Sequence, residues 1–253
     1  MTSTGQLDPP WWSTPRVQRR TRPPLTREGI VDAALGILDV DGVDALTVRR
    51  LGAELGTGAA SLYWHIAGKQ ELGDLVYDRI MGEIELPAPD ASKWEDQLKD
   101  LARQAYRVML SHHDAVRLSI GRAPAGPNTV RIVEWMLGLL RAAGIPDRIA
   151  TYFGNTLGRF LDASVLEASV GAVGNDIGGD QDEVQGQQLS DYWSGLPADQ
   201  FPNLTALAGT FLEGDPEDLF EFGLNLLIRG LAAYQQSPSP RPTRKRDANG
   251  PLR

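Results

Sequence analysis

The chain has 253 residues, no cysteine and a formal net charge of −8. Without cysteine it cannot have a disulfide framework, a thiol nucleophile or a Cys-ligated zinc site. No apolar run approaches the roughly 20 residues that span a bilayer, and the proline-rich N-terminus lacks an apolar signal region. We therefore expect a soluble, cytoplasmic protein without a membrane partner.

The two ends of the chain are basic although the whole is acidic. Residues 1–69 and 237–253 carry a small positive excess, and the acidic excess lies in residues 70–236. We expect a flexible, basic, proline-rich arm over residues 1–24 and a flexible basic tail over residues 237–253. The arginines at 16, 19, 20, 22 and 27 would either follow the phosphates of a nucleic acid or belong to a solvated arm, and the sequence favours neither.

The first predicted helix follows this arm. Thr26 can cap it, Glu28 lies in its first turn, and Asp41-Gly42 forms a turn at its end. Its apolar residues fall on one stripe, as in a helix that packs against its neighbours: Ile30, Ala34, Ile37 and Leu38.

A pair of short helices is predicted between residues 46 and 72. Thr47 can cap the first, and Gly56 can supply the positive φ at which that helix ends. Thr57 can cap the second, whose Leu62 and Ile66 are i and i+4 and should be buried. Two short helices joined by a glycine turn are typical of a helix-turn-helix, which places its second helix in the major groove of DNA.

The second of these helices would expose residues suited to DNA. Small side chains at its start allow close approach to base edges, and the Ser61 hydroxyl can donate or accept there. Tyr63, His65 and Lys69 can donate hydrogen bonds to phosphates. The alternative is that the pair Tyr63 and Trp64, or Trp64 alone, belongs to the core.

The run LYWHIAGKQEL, residues 62–72, resembles the end of the recognition helix in the TetR family, and in tetracycline repressors in particular. This resemblance implies that Arg49 reads bases or contacts a phosphate. Ala59 and Ala60 stand where tetracycline repressors have a glutamine and a proline that touch bases, which implies a different operator sequence. The predicted DNA-contacting set is Thr47, Arg49, Ala59, Ala60, Ser61, Tyr63, Trp64, His65 and Lys69.

The rest of the chain predicts an all-α protein, with a helix-turn-helix domain over residues 25–70 and a helical ligand-binding and dimerisation domain over residues 71–236. Ser92 with Glu95 forms a capping box before the amphipathic stretch that ends near His112. Asp215-Pro216-Glu217 is typical of a helix start, and the glycine-rich residues 174–182 predict a mobile loop. The predicted helices cover about 68–85, 94–112, 128–143, 147–169, 199–213 and 216–236.

Two predicted helices, 147–169 and 216–236, are apolar on more than one face. Such a helix must be buried on both sides, by its own domain and by a partner. We therefore expect a homodimer on a palindromic operator; the alternative is a monomer with a large internal core.

The resemblance extends to the segments SHHDAVRLSIGRAP, LGRFLDASVLE and EFGLNLLIRGL. The family's magnesium-binding histidine falls on Ser119, its drug-binding asparagine and phenylalanine fall on Leu101 and Ala105, and its glutamine falls near Trp135 or Met136. The resemblance thus implies no metal site and no cofactor, but an apolar cavity for a bulky apolar or aromatic inducer. Its predicted lining, for which plain core packing is the alternative, is Leu101, Ala105, Met109, Ser119, Trp135, Met136, Phe160 and Glu167.

We find no pattern that indicates catalysis. His112, His113 and Asp114 point about 100° apart on a helix, so they cannot share a metal and are interpreted as solvated. The favoured function is a ligand-responsive transcriptional repressor and not an enzyme. The alternative is a small-molecule binding or modifying protein with a vestigial helix-turn-helix, which would not need Arg49, Tyr63, His65 and Lys69 together.

Overall fold

The computed structural model describes residues 25–121, 123, 125–210 and 215–235, without the side chains of residues 170–185. These residues form ten α-helices and one turn of 3-10 helix, with no strand among them, which confirms the all-α prediction. None of the described helices is long and apolar enough to cross a membrane. The predicted N-terminal arm and C-terminal tail lie outside the described residues.

The helices follow one another in an order close to the predicted one. Their bounds are α1 Arg27–Ala45, α2 Val48–Glu54, α3 Ala59–Leu62, α4 Lys69–Met81, α5 Trp94–Ser111, α6 Ala115–Ser119, α7 Pro127–Ala142, α8 Asp147–Ser194, α9 Pro202–Leu207 and α10 Pro216–Ala232.

The first three helices form the expected small unit. Thr26 Oγ1 accepts a hydrogen bond from the Gly29 N–H (3.1 Å) at the start of α1, and Thr47 Oγ1 accepts one from the Arg50 N–H (3.1 Å) at the start of α2. Gly42 at φ 75° interrupts α1 near its end, and Gly56 at φ 59° follows α2. Both caps and both glycine turns therefore agree with the sequence prediction.

The start of α3 differs from the prediction. Gly58 precedes α3 without a side-chain cap, whereas the Thr57 N–H donates to the Gly52 carbonyl oxygen at 2.8 Å. A Cβ on Gly52 would lie only 2.9 Å from the Thr57 carbonyl oxygen, so this close approach requires glycine. The prediction that Thr57 caps α3 is wrong, because the turn brings its backbone onto α2.

Helices α4 to α10 form a bundle around α8, which packs against α5, α7 and α10. Helix α5 buries the face that the sequence predicted, including Trp94, Leu98 and Met109. The predicted capping box of Ser92 with Glu95 is wrong, because Asp90 accepts a hydrogen bond from the Ser92 N–H (2.9 Å) and a 3-10 turn, Ala91–Lys93, precedes α5.

Helix α8 is much longer than predicted. Its backbone remains helical over 48 residues, so the mobile loop expected at 174–182 is wrong, and the predicted helix end at 169 is wrong with it. Each glycine there costs the helix only about 1 kcal/mol relative to alanine, which a long helix can tolerate.

A buried carboxylate joins α4 to α7. Asp78, which is 7% exposed, accepts hydrogen bonds from the backbone N–H groups of Asn128 (3.0 Å) and Thr129 (2.9 Å). These N–H groups lie in the first turn of α7, where they have no partner within the helix. A Cβ on Gly126 would lie 2.2 Å from Asp78 Oδ1, so glycine there leaves room for the carboxylate. The contact fixes the C-terminal half of α4 on the bundle.

Candidate functional site

The surface of α3 is divided between core and solvent. Leu62 and Ile66 are at most 2% exposed, whereas Ala59, Ala60 and Ser61 are exposed. Tyr63 is 57% and Trp64 is 88% exposed, so neither side chain belongs to the core of this chain. Helix α3 therefore presents small side chains and the Ser61 hydroxyl, and two aromatic rings follow its end, the arrangement expected of an element that approaches DNA.

Cationic side chains flank this surface, and they differ in whether they are paired within the protein. Arg49 is exposed and forms no ion pair or hydrogen bond among the described residues, and Lys69 is exposed at the first residue of α4. Arg50, by contrast, pairs with Glu54 (2.7 Å) and Asp41 (3.3 Å). Thr47 is half-buried as the α2 cap, and His65 is also half-buried. Arg49 and Lys69 are thus available to phosphates, while Arg50 is engaged within the protein.

A cavity of about 400 Å³ lies among α4, α5, α6, α7 and α8. Its walls are mainly apolar. Five of the predicted residues line it: Leu101, Ala105, Met109, Ser119 and Met136.

The other three predicted residues lie outside this cavity. Trp135 Nε1 donates to the Pro87 carbonyl oxygen at 2.7 Å. Phe160 stacks on Phe220 with ring centroids 5.6 Å apart, and Glu167 is exposed on α8. Trp135 and Phe160 are each one position from a lining residue, so the rotation of α7 and α8 about their axes decides which side chains face the cavity, and Glu167 lies five positions beyond Asp162, the last lining residue of α8.

The cavity also has polar residues that the sequence analysis missed. They are Tyr77, Thr129, Asn155, Arg159 and Asp162. Burial raises the pKa of the Asp162 carboxyl, and a hydrogen bond with Ser119 at 2.6 Å acts in the opposite direction. Burial, followed by the charges of Asp162 and Asp78, raises the pKa of Tyr77 to about 12. The acid at position 162, between the apolar neighbours Leu161 and Ala163, was the signal available in the sequence.

Hydrogen bonds and ion pairs join α1 to α6 and to the segment between α5 and α6. His112 contacts Asp39 (2.9 Å) and Glu83 (3.3 Å) with a side chain only 11% exposed, so its interpretation as a solvated residue is wrong. Asp114 accepts a hydrogen bond from the Val43 N–H (3.1 Å), and Arg117 pairs with Asp44 (3.1 Å). Helix α6 therefore contacts the helix-turn-helix unit at one end and the cavity, through Ser119, at the other. Among the described residues, no group of three or more acids or histidines is placed to hold a metal ion.

Comparison with known proteins identifies the family. Residues 30–74 match the description "Bacterial regulatory proteins, tetR family", and residues 86–234 match "Tetracyclin repressor-like, C-terminal domain". The chain belongs to the TetR family. It is 35% identical over 225 residues to an HTH-type transcriptional regulator of Saccharopolyspora erythraea, covering 88% of this chain and 91% of that protein.

Other TetR proteins are similar along most of their length. The tetracycline repressor protein class C of Escherichia coli is 31% identical, with 82% of this chain and 90% of that protein covered. The structure of the Streptomyces coelicolor TetR family protein ActR in complex with actinorhodin is 42% identical, with a TM-score of 0.79, and covers 86% of this chain and 100% of that chain.

These matches confirm the predicted function, a ligand-responsive DNA-binding transcriptional regulator. TetR regulators bind operator DNA, act as dimers and bind small molecules, as the predicted partners require. The alternative of a vestigial helix-turn-helix is not favoured.

Proposed function

We propose that this TetR regulator is a repressor that leaves its operator when a bulky, largely apolar aromatic ligand enters the cavity among α4 to α8. The observation that carries the proposal is the cavity itself. About 400 Å³ with mainly apolar walls lies within the range typical of small-molecule sites. The similarity to ActR, whose structure with actinorhodin is known, also supports an aromatic ligand.

For the DNA side, we infer that the exposed start of α3 reads bases, and that Arg49, Tyr63, His65 and Lys69 contact phosphates. The exposure of Arg49, Tyr63 and Lys69 supports this assignment, as does the absence of an ion-pair partner for Arg49 among the described residues. His65 is half-buried. Thr47 and Trp64 lie beside these residues and would complete the contact surface.

For the assembly, we infer that α8 and α10 form the homodimer interface. Helix α10 buries one face in its own bundle, including Phe220 and Leu224, and leaves apolar residues exposed on another face. These are Leu219, Phe222 and Leu226, which are exposed by 53%, 65% and 54%. A second copy of the chain would cover this apolar stripe. A two-fold axis would then relate the two copies of α3.

The proposal includes a route between the two sites. A ligand that displaces Ser119 would move α6, and α6 contacts α1 through Asp114 and Arg117. The ligand then acts because it binds one orientation of the reading helices better than the other.

A gel shift with operator selected from random DNA tests this function. We expect actinorhodin to release the protein whether or not a chelator is present. Tetracycline with magnesium should not, because Ser119 replaces the metal-binding histidine and supplies only a weak neutral oxygen ligand. Ala105→Phe, which narrows the cavity, should retain DNA binding and no longer respond to actinorhodin.

Two results would contradict the proposal. One is metal-dependent release by micromolar tetracycline, which would show that the ligand chemistry is that of the tetracycline repressors. The other is undiminished release of Ala105→Phe by actinorhodin, which would place the ligand elsewhere.

A further inference from the structure

The cavity has one acidic side chain in its wall, among the described residues. Asp162 on α8 is half-buried, and its Oδ1 lies 2.6 Å from Ser119 Oγ on α6. We propose that Asp162 determines ligand specificity by accepting a hydrogen bond from a neutral hydroxyl group on the otherwise apolar ligand. This inference rests on the proposed ligand-binding role of the cavity.

The Ser119 hydroxyl limits the protonation state of this pair. Its oxygen lies 2.6 Å from Asp162 Oδ1 and 2.8 Å from the Val116 carbonyl oxygen. The hydroxyl has one proton, and a carbonyl can only accept. A Ser119 hydroxyl that donates to an ionised Asp162 lowers the pKa of that carboxyl but leaves the Val116 contact without a proton. Both contacts become good hydrogen bonds when Ser119 donates to Val116 and a protonated Asp162 donates to Ser119.

Burial of Asp162 favours the protonated carboxyl, whereas a hydrogen bond donated by Ser119 would lower its pKa. Burial raises the pKa of the carboxyl, and no lysine or arginine pairs with it among the described residues. Arg159, the cation in the described cavity wall, forms no ion pair with Asp162. Tyr77 lines the same cavity and, with a pKa of about 12, adds no charge at neutral pH.

The second carboxyl oxygen is then the atom that meets the ligand. Asp162 Oδ2 has no protein partner among the described residues and is not a buried unsatisfied atom there, so it retains exposed surface on a residue that lines the cavity. With the proton on Oδ1, Oδ2 is a carbonyl oxygen and can only accept. A ligand hydroxyl satisfies it without charge, whereas a ligand cation would need the ionised carboxylate that burial disfavours.

Three fused-ring probes with the same apolar frame test this inference by fluorescence titration. The probes are 9-phenanthrol, its methyl ether 9-methoxyphenanthrene, and the cationic 9-(aminomethyl)phenanthrene. We expect the wild-type protein to bind the phenol about fivefold more tightly than the ether, because only the phenol can donate a hydrogen bond to Asp162. The cation should bind more weakly than the phenol.

Two variants assign the preference to Asp162. In Asp162→Leu, which keeps the volume and removes both oxygens, the phenol and the ether should bind equally. In Met136→Leu, a change in the apolar wall, both affinities should shift together and the fivefold ratio should remain. Asp162→Ala also removes both oxygens and should likewise abolish the preference, which provides a second variant if Asp162→Leu does not fold.

The outcomes separate this inference from the proposed function. Equal binding of phenol and ether by the wild type, or a preference that survives Asp162→Leu, would overturn the role of Asp162 and leave the apolar cavity in place. Tightest binding of the cationic probe would show that Asp162 acts as a charged carboxylate and would overturn the neutral-hydroxyl assignment. If none of the probes bound, the apolar cavity would not admit such ligands, and the proposed function would fail together with the inference.

Discussion

Arg49 and Arg50 are adjacent on α2 but have different surroundings. Arg50 pairs with Glu54 and Asp41, and these hydrogen bonds, with Glu54 first, raise its pKa. Arg49 is exposed and has no such partner among the described residues. The chain therefore provides its own control for a DNA contact, because two identical side chains differ in whether they are available to a phosphate.

We expect Arg49→Ala to weaken operator binding and to lower the slope of log K against log salt by about 0.9 for each phosphate that this arginine neutralises. Arg50→Ala should leave that slope nearly unchanged. Fluorescence anisotropy between about 50 and 200 mM salt, conditions in which such an effect is readily measured, provides the comparison. Equal slopes for wild type and Arg49→Ala would contradict the assignment of Arg49 to a phosphate.

Single residues could be placed from the sequence where their interactions are local. The caps Thr26 and Thr47, the positive φ of Gly56 and the burial of Leu62 depend on neighbours close in sequence, and the structure agrees with all of them. Asp162 could not be placed by such reasoning, because its contact with Ser119 joins residues 43 positions apart. The same holds for Trp135 and Phe160, whose partners Pro87 and Phe220 lie on distant elements.

Among the helices, α10 has the clearest consequence for assembly. Phe222 and Leu226 are exposed i and i+4 neighbours, and Leu219 extends the same stripe. Leu227, one position further, packs instead against the chain's own core. A substitution at Leu226 is therefore directed at the predicted interface, whereas one at Leu227 would also damage the fold.

We expect Leu226→Arg to place an unpaired charge in the dimer interface and to weaken the dimer by about 3 kcal/mol, or roughly a hundredfold. Operator binding should fall with it, while circular dichroism still reports a folded helical chain. Val40→Arg, at a site 77% exposed on α1, is the control for adding a charge. Sedimentation that gives the same dimer for wild type and Leu226→Arg would place the interface elsewhere.

Helix boundaries were less predictable than helix identities. The sequence predicts the start of α10 from Asp215-Pro216, and Asp215 accepts the expected hydrogen bond from the Glu217 N–H at 2.9 Å. It does not predict that α8 continues past residue 169, because glycine and aspartate residues there lower local helix propensity. The start of a helix is marked by a capping side chain, whereas the continuation of a helix depends on the energy of the whole helix.

At the scale of the whole molecule, one family match ends at residue 74 and the other begins at residue 86, so residues 75–85 lie between them. Helix α4, Lys69–Met81, begins within the first match and ends inside that gap. It packs against α1, α6 and α7, and its Asp78 holds the first turn of α7. A boundary at residues 70 and 71, as we propose from the sequence, thus falls inside one continuous helix.

We expect the helix-turn-helix unit and the bundle to unfold together in a single calorimetric transition, because both pack on the one continuous helix α4. Asp78→Leu leaves the first N–H groups of α7 without their partner and should lower the melting temperature by several degrees. Asp147→Ala, at an exposed acid, is the control. Two separate transitions in the unaltered protein would contradict this coupling.

The position of α4 also concerns ligand binding. Tyr77 and Met81 belong both to α4 and to the cavity wall. A bound ligand stabilises whichever arrangement it prefers by mass action, and that free energy is shared by every element that unfolds with the cavity. An inducer can therefore reduce the affinity of this protein for DNA and yet protect its reading helices against heat and proteolysis.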